Sequence, residues 1–272
     1  MRPTQAILPV AGLGTRFMPW TKVVPKELLP IGNKPIIALL VDECLSVGIK
    51  DICFVINKGK EAIPQFFKQD KTLEATLEKK GKADVLAELR KYDEVRIHVA
   101  YQHEPHGDGH AILQAVDWVK GDVTAILFGD DLIAGGESGL QQLCNAYASC
   151  ERGSAMLCLE NVSKERVSQY GIADAKRLPG GPDRLYRVQA LVEKPAPEKA
   201  PSTLGVVGKY LIPRSTFDVL PKVGASHGGE IRIIDALIEQ LPAIPIYGYE
   251  FEGKRFDTGR PEGYKEAVRF LG

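Results

Sequence analysis

The fold is decided near the start of the chain, where residues 6–16 read AILPVAGLGTR. The apolar run from Ala6 to Val10 predicts a strand, and the turn that follows it contains Gly12 and Gly14. A glycine-rich turn at the carboxyl end of a strand can bring backbone N–H groups against phosphate oxygens. This turn lacks the Gly-Lys-Ser/Thr ending of a P-loop, and Phe17 stands where a dinucleotide-binding fingerprint has its third glycine. A tight turn without a ligand is an equally good interpretation of these residues alone.

The rest of the first half alternates short apolar runs with longer helical patterns. The predicted strands are residues 51–56, 95–100 and 123–128. The predicted helices are residues 35–47, 73–89 with a possible interruption at Gly81, 110–119 and 140–148. Because strands that alternate with helices form parallel sheets covered on both faces, this half predicts an α/β fold.

The second half is richer in strands and turns. Its predicted strands are residues 155–159, 186–192, 204–212 and 244–249, and its predicted closing helices are residues 231–241 and 261–271. The proline-rich residues 194–202 predict a surface loop. No linker separates the halves, so we expect a single domain over residues 1–272 with one continuous sheet and an elaborated C-terminal region. The apolar face of the last helix, formed by Tyr264, Ala267, Val268 and Leu271, is either core or an interface.

The charge balance narrows the class of ligand. Lys plus Arg and Asp plus Glu each number 35, so the formal net charge is zero. Proteins that bind nucleic acid or membrane surfaces in general carry a basic excess. We therefore expect neither as a partner, and a small phosphorylated ligand fits better.

The cysteines and apolar runs bear on location. The five cysteines form no CxxC pair, which disfavours a disulfide framework and a cysteine zinc site and favours reduced thiols in a cytosolic protein. The longest apolar runs, such as residues 36–41, are far too short to span a bilayer. The expected location is the cytoplasm.

Two cations flank the glycine-rich turn. Arg16 belongs to the turn, and Lys26 follows within reach of the same loop, in the run PKELLP (25–30). Either residue alone is usually a solvated surface charge. Together beside glycines, a guanidinium fork and an ammonium point charge suit a triphosphate.

Carboxylates follow another predicted strand. Asp130 and Asp131 come directly after residues 123–128, and ligands of open α/β sheets bind at such strand ends. Hard oxygen ligands there suit magnesium, which commonly uses one or two carboxylates plus substrate phosphates. A helix cap or an Asp turn is the likelier interpretation of Asp130 in isolation. A distant possible partner is Asp257, in the run RFDTG (255–259).

Short runs along nearly the whole chain carry a resemblance to a known family. In order they are PVAGLGTRFMPWTK (9–22), VPKELLP (24–30), EPHGDGHAI (104–112), LFGDDL (127–132), QYGI (169–172), LVEKP (191–195), VVGKYLI (206–212), GGEIRIIDAL (228–237) and RFDTG (255–259). Each run is weak alone, and their joint presence in this order is specific. The chain resembles the bacterial UTP–glucose-1-phosphate uridylyltransferases of the sugar-nucleotidyltransferase family.

The resemblance implies a Rossmann-like, mostly parallel mixed sheet with helices on both faces. It also implies a nucleotide-binding half over about residues 1–135 and a sugar-binding and closing half over about residues 136–272. The catalytic cations would be Arg16 and Lys26, and the magnesium ligands would be Asp130 and Asp257. The implied nucleotide contacts are Ala11, Gly12, Gly14, Thr15, Gln102 and Gly107. The implied sugar-phosphate contacts are Gly171, Glu193, Lys194 and Val207.

The implied reaction joins UTP and glucose 1-phosphate into UDP-glucose and pyrophosphate, with Mg²⁺ as cofactor. A hexose offers several hydroxyl donors, which an ionised Glu193 can accept, and Lys194 would pair with the sugar's phosphate. A homo-oligomer is also expected.

Some residues depart from the family pattern. The chain has His106 and Asp108 beside Gly107, where the family usually has leucines, and Arg232 and Ile233 where it usually has glutamine and leucine. His106 and His110 lack the further ligands that a zinc site needs. The departures leave two alternatives open: an enzyme with changed base or sugar specificity, such as a thymidylyltransferase, and a catalytically poor regulatory homologue. A nicotinamide dehydrogenase is disfavoured by the missing third glycine.

Overall fold

The strands come from both halves of the chain. The structure is a computed structural model that describes residues 2–225 and 229–272. Its strands are β1 (Gln5–Pro9), β2 (Pro30–Ile31), β3 (Lys34–Pro35), β4 (Asp51–Ile56), β5 (Arg96–Tyr101), β6 (Val123–Leu127), β7 (Asp131–Ala134), β8 (Ala155–Asn161), β9 (Gly171–Arg177), β10 (Leu185–Glu193), β11 (Leu204–Pro213), β12 (Ile246–Glu250) and β13 (Lys254–Asp257). Within the described ranges the main sheet has nine strands in the order β5-β4-β1-β6-β11-β8-β12-β10-β9, while β2 pairs with β3 and β7 with β13.

The sheet is mixed, and its parallel part is concentrated in the first half. Strands β5, β4, β1 and β6 pair in parallel, and so do β8 and β12. The pairs β6–β11, β11–β8, β12–β10 and β10–β9 are antiparallel. Of these pairs only β9 and β10 follow each other directly in the chain, whereas the other antiparallel pairs join strands that lie far apart in the sequence. The predicted mixed α/β fold is confirmed, but the sheet is not mostly parallel, because over the described residues its neighbouring strands form as many antiparallel as parallel pairs.

Helices cover both faces of this sheet. They are α1 (Ile36–Ser46), α2 (Ala62–Phe66), α3 (Lys71–Lys79), α4 (Ala83–Arg90), α5 (Asp108–Leu113), α6 (Gly139–Tyr147), α7 (Arg214–Val219), α8 (Ile233–Gln240) and α9 (Pro261–Leu271). The side chains of β1 alternate between two cores: Ala6 and Leu8 join one, and Ile7 joins the other. Helices α1, α6 and α9 pack on the first core, and α5, α7 and α8 on the second. On the apolar face of α9, Ala267 is buried and Tyr264 and Val268 pack against the first core, whereas Leu271 is exposed.

Two predicted helices have different bounds from those expected. The helix expected over 110–119 runs from Asp108 to Leu113, and a separate short 3-10 helix follows at Val116–Trp118. The helix expected over 231–241 begins at Ile233. Ile231 instead exchanges backbone hydrogen bonds with the segment before and within α5.

Other elements were predicted or missed for clear reasons. The break near Gly81 separates α3 from α4, as predicted. The β7–β13 pair was missed, because each strand has only four residues and its partner lies about 120 residues away. Across the described ranges, no helix combines the length and apolar character needed to cross a bilayer.

Candidate active site

The site lies where the parallel strands β1 and β6 end, beside β11. Residues 11–26, here called the glycine-rich loop, follow Val10 directly after β1, and Gly129, Asp130 and β7 follow β6. Carboxyl ends of parallel strands share one edge of a sheet, which brings these segments together.

The glycine-rich loop is shaped by short turns. Gly14 has a φ of 65°, a left-handed conformation that glycine adopts without strain, and its carbonyl accepts a hydrogen bond from Thr21 Oγ1 at 2.8 Å. Arg16 Nη1 donates to the carbonyl oxygen of Gly259 at 3.5 Å. The loop is thus joined to the distant segment RFDTG, which contains Asp257.

Lys26 and Asp130 form an ion pair across the site, with Lys26 Nζ 2.6 Å from Asp130 Oδ2. Burial lowers the pKa of Lys26, but the carboxylates of Asp130 and Glu27 outweigh it and hold this pKa above its ordinary value. Burial raises the pKa of Asp130, but Lys26 outweighs it and holds that pKa below its ordinary value. Both groups are therefore charged at neutral pH.

Asp130 and Asp257 lie close together in the fold although 126 residues lie between them in the chain. The β7–β13 ladder pairs Asp131 with Asp257, and the N–H and hydroxyl of Thr258 both donate to the carbonyl oxygen of Asp130, at 2.8 and 3.0 Å. A Cβ at Gly259 would lie 2.5 Å from Asp130 Oδ2 and 3.1 Å from Asp257 Oδ1. The two carboxylates flank one small gap that glycine leaves open.

A cavity of about 270 Å³ opens on one side of Asp130. Its walls contain Pro9, Ala11, Gly12, Lys26, Glu27, Gln102, Pro105, Gly107, Asp108, Ala111, Phe128, Gly129, Asp130 and Glu230. Gln102 is buried, and its Nε2 donates to the carbonyl oxygen of Gly107 at 2.9 Å. Of the residues expected to contact a nucleotide, Gly14 and Thr15 are not in this wall.

A second cavity of about 250 Å³ lies on the other side of Asp130. It shares Phe128 and Asp130 with the first cavity. Its remaining walls are Arg16, Asp131, Gln169, Tyr170, Val206, Val207, Gly208, Tyr210, Arg255, Asp257 and Arg260. The wall contains charges of both signs, because its three arginines stand beside the carboxylates of Asp130, Asp131 and Asp257.

The residues expected to bind the sugar lie beside the second cavity. Gly171 pairs with Glu193 in the β9–β10 ladder and with Val206 of β11, next to Val207. Lys194 has a φ of 45°, and its Nζ lies 3.4 Å from Glu193 Oε1. Among the described residues, Val207 lines the second cavity, whereas Gly171, Glu193 and Lys194 are in the walls of neither cavity.

The departures from the family pattern form a cluster near both cavities. Arg232 is buried, with Nη2 2.8 Å from Glu230 Oε2 and Nη1 3.5 Å from Glu193 Oε1. Asp108 Oδ1 accepts the N–H of Ile233 at 2.8 Å, and burial raises the pKa of Asp108 to about 6. Arg232 thus pairs inside the protein rather than with solvent.

The site contains three further polar residues to which the sequence analysis assigned no role. Lys60 forms a buried pair with Glu27, and Asn57 Nδ2 donates to the carbonyl oxygen of Ala11 at 2.7 Å. Glu27 directly follows Lys26 in the run PKELLP, so the sequence could have indicated that it lies near the site. The sequence did not indicate a role for Lys60 or Asn57, because their segment resembles an ordinary polar turn.

The two histidines make local contacts. His106 Nε2 lies 2.6 Å from Glu104 Oε2, and the rings of His106 and His110 meet edge to face at 5.2 Å. Over the described part of the chain, no group of three or more His, Cys, Asp or Glu side chains is arranged to hold a metal ion by itself. A cation at Asp130 and Asp257 would therefore need further ligands, such as water or substrate phosphates.

Known proteins share both the sequence and the fold. A sequence model described as nucleotidyl transferase matches residues 5–272. The UTP–glucose-1-phosphate uridylyltransferase YngB of Bacillus subtilis is 39% identical over 269 residues, which cover 98% of this chain and 89% of that protein. A UDP-glucose pyrophosphorylase solved in complex with UDP-glucose has a TM-score of 0.88 at 32% identity, with 98% of each chain covered.

A further solved structure agrees with these relatives. The UTP-bound enzyme of Acinetobacter baumannii has a TM-score of 0.87 at 34% identity, covering 99% of this chain and 93% of that chain. The resemblance found from the motifs is confirmed. The chain therefore belongs to the nucleotidyl transferase family, among the UTP–glucose-1-phosphate uridylyltransferases.

Proposed function

We propose that this nucleotidyltransferase joins UTP and glucose 1-phosphate to give UDP-glucose and pyrophosphate. The observation that carries the proposal is the position of Asp130, which lies in the walls of two cavities and contacts Lys26. Two adjoining cavities with charged groups at their junction suit a reaction between two phosphorylated substrates. The relatives bear names for this activity.

The chemistry needs alignment and charge neutralisation. An oxygen of the sugar phosphate forms a bond to the α-phosphorus of the nucleotide, while the bond from that phosphorus to the β-phosphate oxygen breaks and pyrophosphate leaves. The attacking oxygen is already ionised, so no general base is required. The protein must hold two mutually repelling anions in line and stabilise the charge that develops.

The chain's own residues would divide these tasks. Backbone groups of the glycine-rich loop, with Gly14 and Thr15, would hold the triphosphate, and Arg16 and Lys26 would stabilise charge on the leaving pyrophosphate. Gln102 and Gly107 would contact the base. Gly171, Glu193, Lys194 and Val207 would bind the sugar and its phosphate, so the nucleotide and sugar would fall to the first and second halves of the domain.

The residues at the junction fit a divalent metal. Enzymes of this kind generally use one. Asp130 is ionised beside Lys26, and the gap that Gly259 leaves between Asp130 and Asp257 gives a cation two hard oxygen donors. We assign Mg²⁺ to these two carboxylates together with substrate phosphates. When bound, the ion would withdraw charge from the phosphate oxygens.

A change of specificity is the second candidate. Asp108 and Glu230 line the first cavity, and Arg232 joins Glu230 to Glu193. These groups border the places where the base and sugar would bind. The same charged residues at the junction would serve a nucleotidyltransferase that uses a nucleoside triphosphate with another base, or another sugar 1-phosphate. A catalytically poor homologue is disfavoured, because Arg16, Lys26, Asp130 and Asp257 are all present and meet.

A pyrophosphate-release screen tests the proposal. Purified protein is assayed with each of several nucleoside triphosphates crossed with several sugar 1-phosphates, with and without Mg²⁺. We expect the fastest release with UTP, glucose 1-phosphate and metal together. Release with dTTP or another sugar in preference would favour the second candidate, and no release with any pair would contradict a catalytic role.

A further inference from the structure

We propose that Lys60 is a positioning residue that closes the base of the glycine-rich loop and so sets the places of the loop's glycines and Lys26. The proposal rests on the phosphate-binding role of this loop given above. Lys60 lies outside the loop, on the turn that follows β4, and belongs to neither cavity wall among the described residues.

The loop has little packing of its own apart from Phe17, which packs against the first core. Its first two short helical turns, Thr15–Phe17 and Trp20–Lys22, contain no buried residue. Four of its apolar side chains are largely exposed: Leu13, Met18, Trp20 and Val23. Since burial of apolar surface is the main source of order in a folded chain, this loop must take its shape from a few anchoring contacts.

Lys60 supplies an anchor that reaches both ends of the loop. Its Nζ donates to the carbonyl oxygen of Val10 at 2.6 Å and to Glu27 Oε2 at 2.8 Å. Val10 is the residue before the loop, and Glu27 is the residue after it. One ammonium group therefore fixes the distance between the two points where the loop leaves and rejoins the fold.

The anchored positions adjoin the groups that would hold phosphate. Val10 leads into Ala11 and Gly12, and Glu27 follows Lys26 in the chain. Asn57 strengthens the first anchor through its hydrogen bond to the carbonyl oxygen of Ala11 at 2.7 Å. A shift at Val10 or Glu27 would be transmitted to the backbone N–H groups and the ammonium group that face the first cavity.

The burial of the pair makes this contact a strong constraint. Glu27 is 1% exposed and Lys60 is 6% exposed. A Cβ at Gly129 would lie 3.2 Å from Cγ of Glu27, so Glu27 is also packed against the residue before Asp130. A buried charge that loses its partner destabilises the fold, so a test must separate lost stability from lost positioning.

Three variants make that separation. Lys60→Met removes both hydrogen bonds and leaves Glu27 buried without its cation. Glu27→Gln keeps an acceptor for Lys60 and keeps the bridge to Val10, but leaves the ammonium group of Lys60 buried without its carboxylate. The double variant Lys60→Met/Glu27→Gln has no unpaired buried charge but still cannot donate to Val10.

The measurements are steady-state kinetics with UTP and glucose 1-phosphate, UTP binding by calorimetry with Mg²⁺ present, and thermal unfolding. For Lys60→Met we expect kcat/KM for UTP to fall about 10- to 100-fold, because small misplacements of positioning groups cost this much. The KM for glucose 1-phosphate should stay close to the wild-type value. Glu27→Gln should also lose stability but should lose less turnover and UTP affinity than Lys60→Met, because it keeps the bond to Val10, and the double variant should regain stability while remaining slow.

Several results would overturn the proposal. Recovery of turnover in the double variant along with its stability would make the pair structural only. An equal loss in Glu27→Gln would assign the effect to the charge of Glu27, and an equal rise in both KM values would show general damage. If the wild type releases no pyrophosphate, the proposed function fails. In that case calorimetry alone tests the positioning role of Lys60, and UTP binding by Lys60→Met that equals wild-type binding overturns it.

Discussion

Lys26 and Asp130 meet at the junction of the two cavities, and each keeps the other charged. The pair is mostly enclosed, so water screens its charges only in part. We expect a preorganised cation at this position to lower the barrier of a reaction that moves negative charge onto a leaving pyrophosphate.

Replacing Lys26 tests this role. We expect Lys26→Met to lower the rate of pyrophosphate release about 100-fold or more, because it removes a preorganised charge contact. Lys22→Met, at an exposed position in the same loop, is the matched control and should keep its activity. Near-normal release by purified, folded Lys26→Met would show that this ammonium group takes no part in the chemistry.

Asp108 should make stability depend on pH. Burial raises its pKa in the folded protein from an ordinary 3.8 to about 6, so the folded state binds a proton that the unfolded chain does not. The resulting stabilisation is present at low pH and is lost as the pH rises through the folded pKa, between about pH 4 and pH 6. In the variant Asp108→Asn, the amide oxygen could still accept from the N–H of Ile233 without this titration.

Denaturant unfolding of both proteins at several pH values measures the difference. The stability of Asp108→Asn relative to the wild type should grow from pH 4 to about pH 6 and then level off. A difference that does not change over this range would mean that Asp108 titrates normally.

Some residues of the candidate site could be identified from the sequence, and others could not. Arg16, Lys26, Asp130 and Asp257 stand in recognisable runs beside glycines or strand ends, so the sequence marks them as candidates, and their roles stay predictions. Lys60 stands in the charged segment NKGKE (57–61), which is typical of a surface turn. Its burial depends on Glu27, 33 residues away, and local sequence carries no sign of that contact.

At the scale of elements, α9 holds the second carboxylate in place. Tyr264 of α9 packs edge to face on Phe17 of the glycine-rich loop, with ring centroids 6.0 Å apart. Gly263 lies over Asp257 at the end of β13. A Cβ at Gly263 would overlap the carbonyl oxygen of Asp257 and lie 2.9 Å from its carbonyl carbon.

The variant Gly263→Ala therefore tests whether the helix preference of alanine or the displacement of Asp257 has the larger effect. In an isolated helix this change stabilises by about 1 kcal/mol. Here we expect lower stability and a higher Mg²⁺ concentration for half-maximal activity, because the methyl group displaces Asp257. Lys265→Ala, on an exposed position of the same helix, is the control for an added alanine. An unchanged Mg²⁺ requirement in Gly263→Ala would separate Asp257 from the metal.

The long elements were predictable and the junction elements were not. Helix α1 and strands β4 and β6 have strong apolar patterns over many residues, which local sequence reports well. Strands β7 and β13 are short, and their pairing is set by a contact across the fold. The start of α8 is likewise fixed by hydrogen bonds from residues near α5, through Ile231 and Ile233.

At the scale of the whole molecule, a buried ion pair ties several layers together. Lys209 of β11 is fully buried, and its Nζ lies 3.0 Å from Glu43 Oε1 of α1 and 3.0 Å from the carbonyl oxygen of Asp131 in β7. Glu43 Oε2 also accepts the N–H of Leu140 at the start of α6. The pair thus connects the central strand to three neighbouring elements.

Loss of one partner should cost more than loss of both. We expect Lys209→Met to lower the free energy of unfolding by about 3–5 kcal/mol, since it leaves Glu43 buried without a cation. The double variant Lys209→Met/Glu43→Gln should recover part of this loss, because the amide still accepts from Leu140. Urea unfolding measures both values. A double variant less stable than Lys209→Met would show that the charge on Glu43 does not cause the loss.

The central strand also limits how the protein can move. Strand β11 is hydrogen-bonded along one edge to β6, from the first half, and along the other to β8, from the second. Rotation of one half against the other about a hinge would break these buried backbone bonds, which nothing else could satisfy. We therefore expect the sheet to keep its shape when substrates bind, so that crystals of substrate-bound and substrate-free forms superpose throughout the sheet.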